Sequence, residues 1–143
     1  MELSPKGILP PLHIEVLERF FRHSQGFFLT GGTALAGFYL GHRSSNDLDL
    51  FCTDDKVFSG GQVSLEAVAR EMGGKLDAIQ TAPTFCRFAL EQGGGNVLVD
   101  LVRDTAYQAV KDKPSWKGVR VDAIEDITAN KLCTVLSRFE LRD

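Results

Sequence analysis

The chain has 143 residues, 43% hydrophobic and 24% charged, which excludes a disordered polymer and leaves enough length to bury roughly two thirds of its unfolded surface. Sixteen basic against nineteen acidic residues give a net charge of −3, which excludes nucleic-acid binding by bulk charge and leaves a local basic patch as the route to RNA. No apolar run reaches the ~18 residues of a membrane span. The start, Met1-Glu2-Leu3-Ser4-Pro5-Lys6-Gly7, lacks the layout of a signal peptide. Cys52, Cys86 and Cys133 are odd in number and widely spaced, so they read as reduced, mostly buried thiols rather than a disulfide framework or zinc site. The expectation is a cytoplasmic protein folded as one domain over residues 1–143.

Residues 1–11, punctuated by Pro and Gly, read as an extended arm. Ile14, Leu17 and Phe21, with Val16 and Phe20, then form an apolar stripe at helical spacing that Gly26 ends. Residues 27–30 predict a buried strand, Gly31-Gly32 breaks it, and residues 33–40 read as a short helix. After a polar loop over 41–46, residues 47–52 alternate with the period of a strand. Residues 54–61 read as a loop and 63–72 as a helix closed by Gly73-Gly74. Strands are expected at about 76–81, 84–91 and 96–102, the last two joined across 92–95 as a hairpin with a longer loop, and a short one at 119–121. Asp122 is placed to cap a last helix reaching about Phe139. The mixture is α/β (α+β): a small mixed sheet flanked by helices.

Chemistry concentrates between Thr30 and Phe51. Glycines between a strand and a helix let backbone approach a ligand, and a helix N-terminus suits phosphate, so Gly31, Gly32 and Thr33 are candidate phosphate contacts; an ordinary tight turn with Thr33 as cap is the alternative. Asp47 and Asp49, two apart on a strand, project from one face while Leu48 and Leu50 fill the other. Adjacent like charges repel, and a hard divalent cation relieves the repulsion. Asp100 is the lone charge in an otherwise apolar strand, where a carboxylate needs a cation, a hydrogen-bond network or solvent. Lys131 falls on the side of the last helix marked by Ile124, Ile127, Thr128, Leu132, Val135 and Phe139, where it either snorkels to water or meets an anion. Arg43, Ser44 and Ser45 precede the acid pair with phosphate-binding chemistry, or form a solvated loop. His13 and His23 are expected at the surface and His42 beside the motif; Trp116 either stacks on a base or anchors its loop on the core.

Leu29-Thr30-Gly31-Gly32-Thr33-Ala34-Leu35, followed by Arg43-Ser44-Ser45-Asn46-Asp47-Leu48-Asp49-Leu50-Phe51, resembles the signature of the AbiEii/MenT nucleotidyltransferase toxins, within the polymerase-β-like nucleotidyltransferase superfamily. Asp100 on a later strand and the segment from Glu125-Asp126-Ile127 through Lys131-Leu132 to Arg138 and Arg142-Asp143 extend the resemblance over about residues 12–143. It implies transfer of a nucleoside monophosphate from a nucleoside triphosphate to an acceptor hydroxyl on tRNA or protein. Asp47, Asp49 and Asp100 are then the catalytic acids that hold metal, two Mg²⁺ ions with Mn²⁺ as the alternative. Gly31, Gly32, Thr33, Arg43, Ser45 and Lys131 are the nucleotide and phosphate contacts. A cognate antitoxin is the implied partner, and no membrane is involved. The family's pattern continues past Arg-Asp with further helices, so the expectation is that this C-terminal helical part is missing.

Two other classes compete. A phosphatase of the haloacid dehalogenase type also uses Asp-x-Asp, but needs an apolar strand before the first Asp, where this chain has Arg43-Ser44-Ser45-Asn46. A truncated, non-catalytic relative that binds nucleotide or a partner protein is the alternative that the abrupt end raises.

Overall fold

In a computed structural model, residues 9–34, 38–39, 47–105 and 112–142 are described, with the side chains of 134, 135 and 137–142 left aside. The elements run α1 (Pro11–His23), β1 (Phe28–Thr30), α2 (Gly31–Ala34), β2 (Asp47–Cys52), α3 (Asp55–Glu71), β3 (Lys75–Ala82), β4 (Phe85–Gln92), β5 (Gly95–Arg103), β6 (Ser115–Trp116), β7 (Val119–Arg120) and α4 (Ile124–Arg142). Five strands form one sheet in the order β1-β2-β5-β4-β3; β2 and β5 are parallel and the other pairs antiparallel.

The strand period sorts this sheet into two faces. Leu48, Leu50 and Cys52 of β2, Val97, Val99 and Leu101 of β5, and Phe88 and Leu90 of β4 are buried in the core. The helices α1 and α3 contribute to the same core through Val16, Leu17, Phe20, Leu65 and Val68. The alternate residues of β2, β5 and β4 point to the opposite face, where the acids lie.

Several expectations change. The helix expected over 63–72 starts at Asp55, because Asp54 caps it: its Oδ1 accepts from Lys56 N at 2.7 Å and Val57 N at 3.2 Å. Gly60-Gly61, read as loop punctuation, sits inside α3. A Cβ at Gly61 would come within 2.6 Å of Leu101 Cδ1 and 3.0 Å of the Phe27 ring, so this glycine lets the helix press onto the sheet. The β4–β5 hairpin is tighter than expected. Gln92 pairs with Gly95 across two residues, Gly93 at φ +56° and Gly94 at φ +83°, the left-handed pair a two-residue turn demands.

The helix expected over 33–40 begins instead at Gly31 and is described as α-helix only to Ala34. His13, expected at the surface, is buried, whereas Cys133 is exposed and departs from the expectation of mostly buried thiols. Trp116 anchors its ribbon: it is buried with its ring 5.7 Å from that of Phe38.

Val121 bridges in parallel to Leu29, and Asp122 N donates to Leu29 O at 2.7 Å, which delivers the chain to α4 beside β1. Asp122 does not occupy the cap position predicted for it. It lies two residues before α4 and is fully buried, its Oδ1 accepting from Ala123 N and from Lys113 Nζ at 2.7 Å.

Candidate active site

Strand register assembles one row of polar side chains across four strands. Thr30 pairs with Asp49, Asp49 with Asp100, and Asp100 with Arg87. One step along lies an apolar row, Phe28, Phe51, Val102 and Phe85, paired in the same sequence. Thr30, Asp49 and Asp100 of the first row and Phe51, Val102 and Phe85 of the second line a cavity of about 650 Å³, within the usual range for a small-molecule site. Its lining includes Thr30, Gly31, Gly32, Asp49 and Asp100 from the sheet side, Phe51, Phe85 and Val102 from the apolar row, and Ile127, Asn130, Lys131 and Cys133 from α4.

Most of the residues singled out from sequence therefore converge. Gly31, Gly32, Asp49, Asp100 and Lys131 all line the one cavity. Asp47 is half-buried on the same strand face as Asp49, two residues along and beside Leu98, and is not among the lining residues. Thr33 is not brought to the cavity. It is fully buried, and its Oγ1 donates to Asp47 O, tying the glycine turn to the start of β2. That hydroxyl does structural work rather than presenting itself to a phosphate. Arg43, Ser45 and His42 lie outside the described residues.

Burial and charge act on Asp49. Desolvation, then the negative charges of Asp100 and Asp47, push its carboxyl up to about 6, with Arg87 opposing them. Asp100 is almost fully buried and is held by a fork: Arg87 Nε donates to Oδ1 at 2.8 Å and a terminal nitrogen donates to Oδ2 at 3.0 Å. Among the described residues, no three His, Cys, Asp or Glu side chains form a ready metal cage. The donor chemistry nonetheless fits a hard divalent cation. Burial, with the charges of Asp100 and Asp47 added to it, raises the Asp49 carboxyl, and Mg²⁺ needs only one or two carboxylates beside water and substrate phosphate.

The position of Lys131 depends on a polar clamp at the start of α4. Lys113 Nζ lies 2.7 Å from Asp122 Oδ1 and 3.8 Å from Asp126 Oδ2, all three side chains being buried. Thr30 Oγ1 donates to Asp122 Oδ2 at 2.9 Å, and Tyr39 Oη donates to Asp122 O at 2.8 Å. Thr30 thus belongs both to the site row and to the clamp. Beyond it, α4 differs from expectation. Ile127 is buried with Asp126, but Ile124, Thr128 and Leu132 are exposed, Leu132 by 58%. Among the described residues, α4 is anchored at its first turn and lines the cavity through Ile127, Asn130, Lys131 and Cys133, while the side chains of Val135 and Phe139 lie outside the described residues.

Sequence reasoning missed Arg87, Thr30 as a link to α4, and Lys113 with its two acids. Arg87 was findable: it is the one charge in Phe85-Cys86-Arg87-Phe88-Ala89-Leu90. A two-residue turn at Gly93-Gly94 pairs 92 with 95 and, five residues back and five forward, 87 with 100.

A mixed sheet with its acids on one face, a glycine turn at the edge and a lysine-bearing helix across the cavity is the architecture of a nucleotidyltransferase. Solved structures share the fold. JHP933 from Helicobacter pylori matches with a TM-score of 0.61 at 19% identity, over 88% of this chain and 58% of its own. MenT4, a nucleotidyltransferase toxin of Mycobacterium tuberculosis, matches with a TM-score of 0.55 at 16% identity, over 85% of this chain and 50% of its own. A Thermotoga maritima protein matches at 0.50 and 17% identity, over 95% of this chain and 94% of its own. The chain therefore spans between half and three fifths of the length of the first two. Residues 15–143 match the family described as nucleotidyl transferase AbiEii toxin of a type IV toxin–antitoxin system, and the chain belongs to that family. No curated protein sequence matches it closely enough to count as a relative. Among the described residues, no helix is long and apolar enough to cross a membrane.

Proposed function

We propose that the cavity binds a nucleoside triphosphate and transfers its nucleoside monophosphate to an acceptor hydroxyl on tRNA or protein, making this chain the toxin of a toxin–antitoxin pair in the cytoplasm. The observation that carries this reading is that Asp49 and Asp100, in register on adjacent strands, line one cavity together with Gly31, Gly32 and Lys131. In the reaction, the acceptor oxygen forms a bond to the α-phosphorus, the bond from that phosphorus to the bridging oxygen breaks, and pyrophosphate leaves. Asp100 takes the acceptor's proton in this reading. Lys131 supplies positive charge to the phosphates, and Gly31-Gly32 lets the triphosphate come against backbone without a side chain in the way. Arg43 and Ser45 are proposed to join the phosphate contacts from the loop before β2.

Asp49 and Asp100, with Asp47 alongside, would hold Mg²⁺, two ions or Mn²⁺ in its place. The bound cation supplies charge neutralisation on the triphosphate and acidifies the attacking hydroxyl.

Incubation with each labelled nucleoside triphosphate, Mg²⁺ and total RNA or cell extract tests the reading. Label should appear on RNA or protein with the unaltered chain and vanish with Asp49→Asn or Asp100→Asn. Failure of all four nucleotides to label anything, from a folded protein, overturns transfer. One observation favours a second reading, nucleotide binding without turnover: α4 walls the cavity with residues 128–133 exposed to solvent. Metal-dependent nucleotide binding with no labelled product would select it. The antitoxin partner follows from the family description and would be identified by co-purification with the neighbouring gene product.

A further inference from the structure

We propose that Arg87 is the counter-ion that Asp100 exchanges for a divalent cation, so that this arginine sets the affinity of the site for metal; the inference rests on the reading of Asp100 as a metal-binding acid. A buried carboxylate is unfavourable without a positive partner. Asp100, with its side chain 9% exposed, has such a partner in Arg87. The fork takes one hydrogen bond on each oxygen, at 2.8 and 3.0 Å, and so competes with a cation for the lone pairs of both.

The two partners are unequal in freedom. Asp100 sits mid-strand on a short side chain, between β2 and β4. Arg87 has a long stem, is 40% exposed, and already places its guanidinium 5.6 Å from the centre of the Phe85 ring. It can leave Asp100, stay over that ring and remain hydrated, whereas Asp100 cannot follow. Asp47 and Asp49 also act electrostatically on Arg87, so its guanidinium feels all three acids and not Asp100 alone. A cation entering beside Asp49 takes over the task of balancing these acids and competes with the fork for Asp100.

The experiment is Mn²⁺ titration by calorimetry on the full chain, with folding checked by circular dichroism. Arg87→Gln removes both charge and fork; Arg87→Lys keeps the charge and loses the fork. Expected is Mn²⁺ binding about three- to tenfold tighter in Arg87→Gln than in the unaltered chain, with Arg87→Lys in between. An arginine that only supports the sheet would lower thermal stability and leave Mn²⁺ affinity where it was, which overturns the proposal. Tighter binding in Arg87→Gln with Arg87→Lys identical to the unaltered chain reduces the effect to net charge and also overturns the fork. Absence of Mn²⁺ binding in all three proteins overturns the metal reading itself, and this inference with it.

Discussion

Gly31 lies directly against the carboxylate of Asp49: a Cβ built on this glycine would fall on Asp49 Oδ2. Its φ of +76° is one that side-chain-bearing residues avoid, so steric fit and backbone conformation both require glycine here. Gly31→Ala is therefore expected to displace the Asp49 side chain and to destabilise the fold by roughly 1–2 kcal/mol. Nucleotide and metal binding should fall together, by calorimetry, with the thermal midpoint only modestly lowered. Normal binding in Gly31→Ala would show that the turn and Asp49 are independent.

Asp49 carries a stability signature that needs no substrate. Its carboxyl is raised from 3.8 to about 6 by burial and by its acidic neighbours. Between those values the folded chain keeps a proton that the unfolded chain has lost. The contribution of Asp49 to stability is thus greatest below about pH 4, declines as pH rises toward 6, and is flat above that; the difference is at most about 3 kcal/mol. Asp49→Asn should remove this decline and leave the chain more stable at pH 7 than the unaltered protein. Urea melts of both proteins at pH 5 and 7.5 measure it. The same slope in both would place the titrating group elsewhere.

The site was partly legible before any fold was known, and the reasons are local. Asp47 and Asp49 declare themselves by strand period alone, and Asp100 by being a lone charge among Val and Leu. Lys131 was placed by helix spacing, which needs no partner element. The partners of these residues depend on register, and register turned on one loop. Reading 92–95 as a longer loop detached Arg87 from Asp100, although Gly93-Gly94 with two left-handed residues fixes the pairing. Thr33 misled in the opposite direction. A hydroxyl after two glycines suits phosphate, but its buried bond to Asp47 O is a long-range contact that no local pattern contains. The exposed face of α4 escaped for a related reason: helical spacing marks Ile124, Thr128 and Leu132 as one side without saying that anything covers it.

Lys113 should matter to stability more than its place in a short loop suggests. It is buried between Asp122 and Asp126 and lies 4.4 Å over the Phe28 ring. Lys113→Met leaves two buried carboxylates without their cation and is expected to cost about 3–5 kcal/mol. Hydrogen exchange should report the loss first in the initial turn of α4, because Asp122 is what ties that turn to Thr30 and Leu29. A melt unchanged within error would mean that the clamp does not hold the helix.

Lys131 offers the cleanest separation of a binding role from a folding role. It is exposed on α4 yet lines the cavity, so Lys131→Ala removes no buried contact and should leave the thermal midpoint within about 0.5 kcal/mol of the unaltered protein. If its ammonium faces the outer phosphates, the loss on truncation grows with the number of phosphates present. Nucleoside triphosphate affinity is expected to drop about tenfold and nucleoside monophosphate affinity by no more than about twofold, with Lys131→Arg keeping most of the triphosphate binding. Calorimetric titration of each nucleotide against the three proteins gives the answer. Equal losses for triphosphate and monophosphate would place the lysine at the α-phosphate or base, and no loss for either would return it to solvent as a surface side chain.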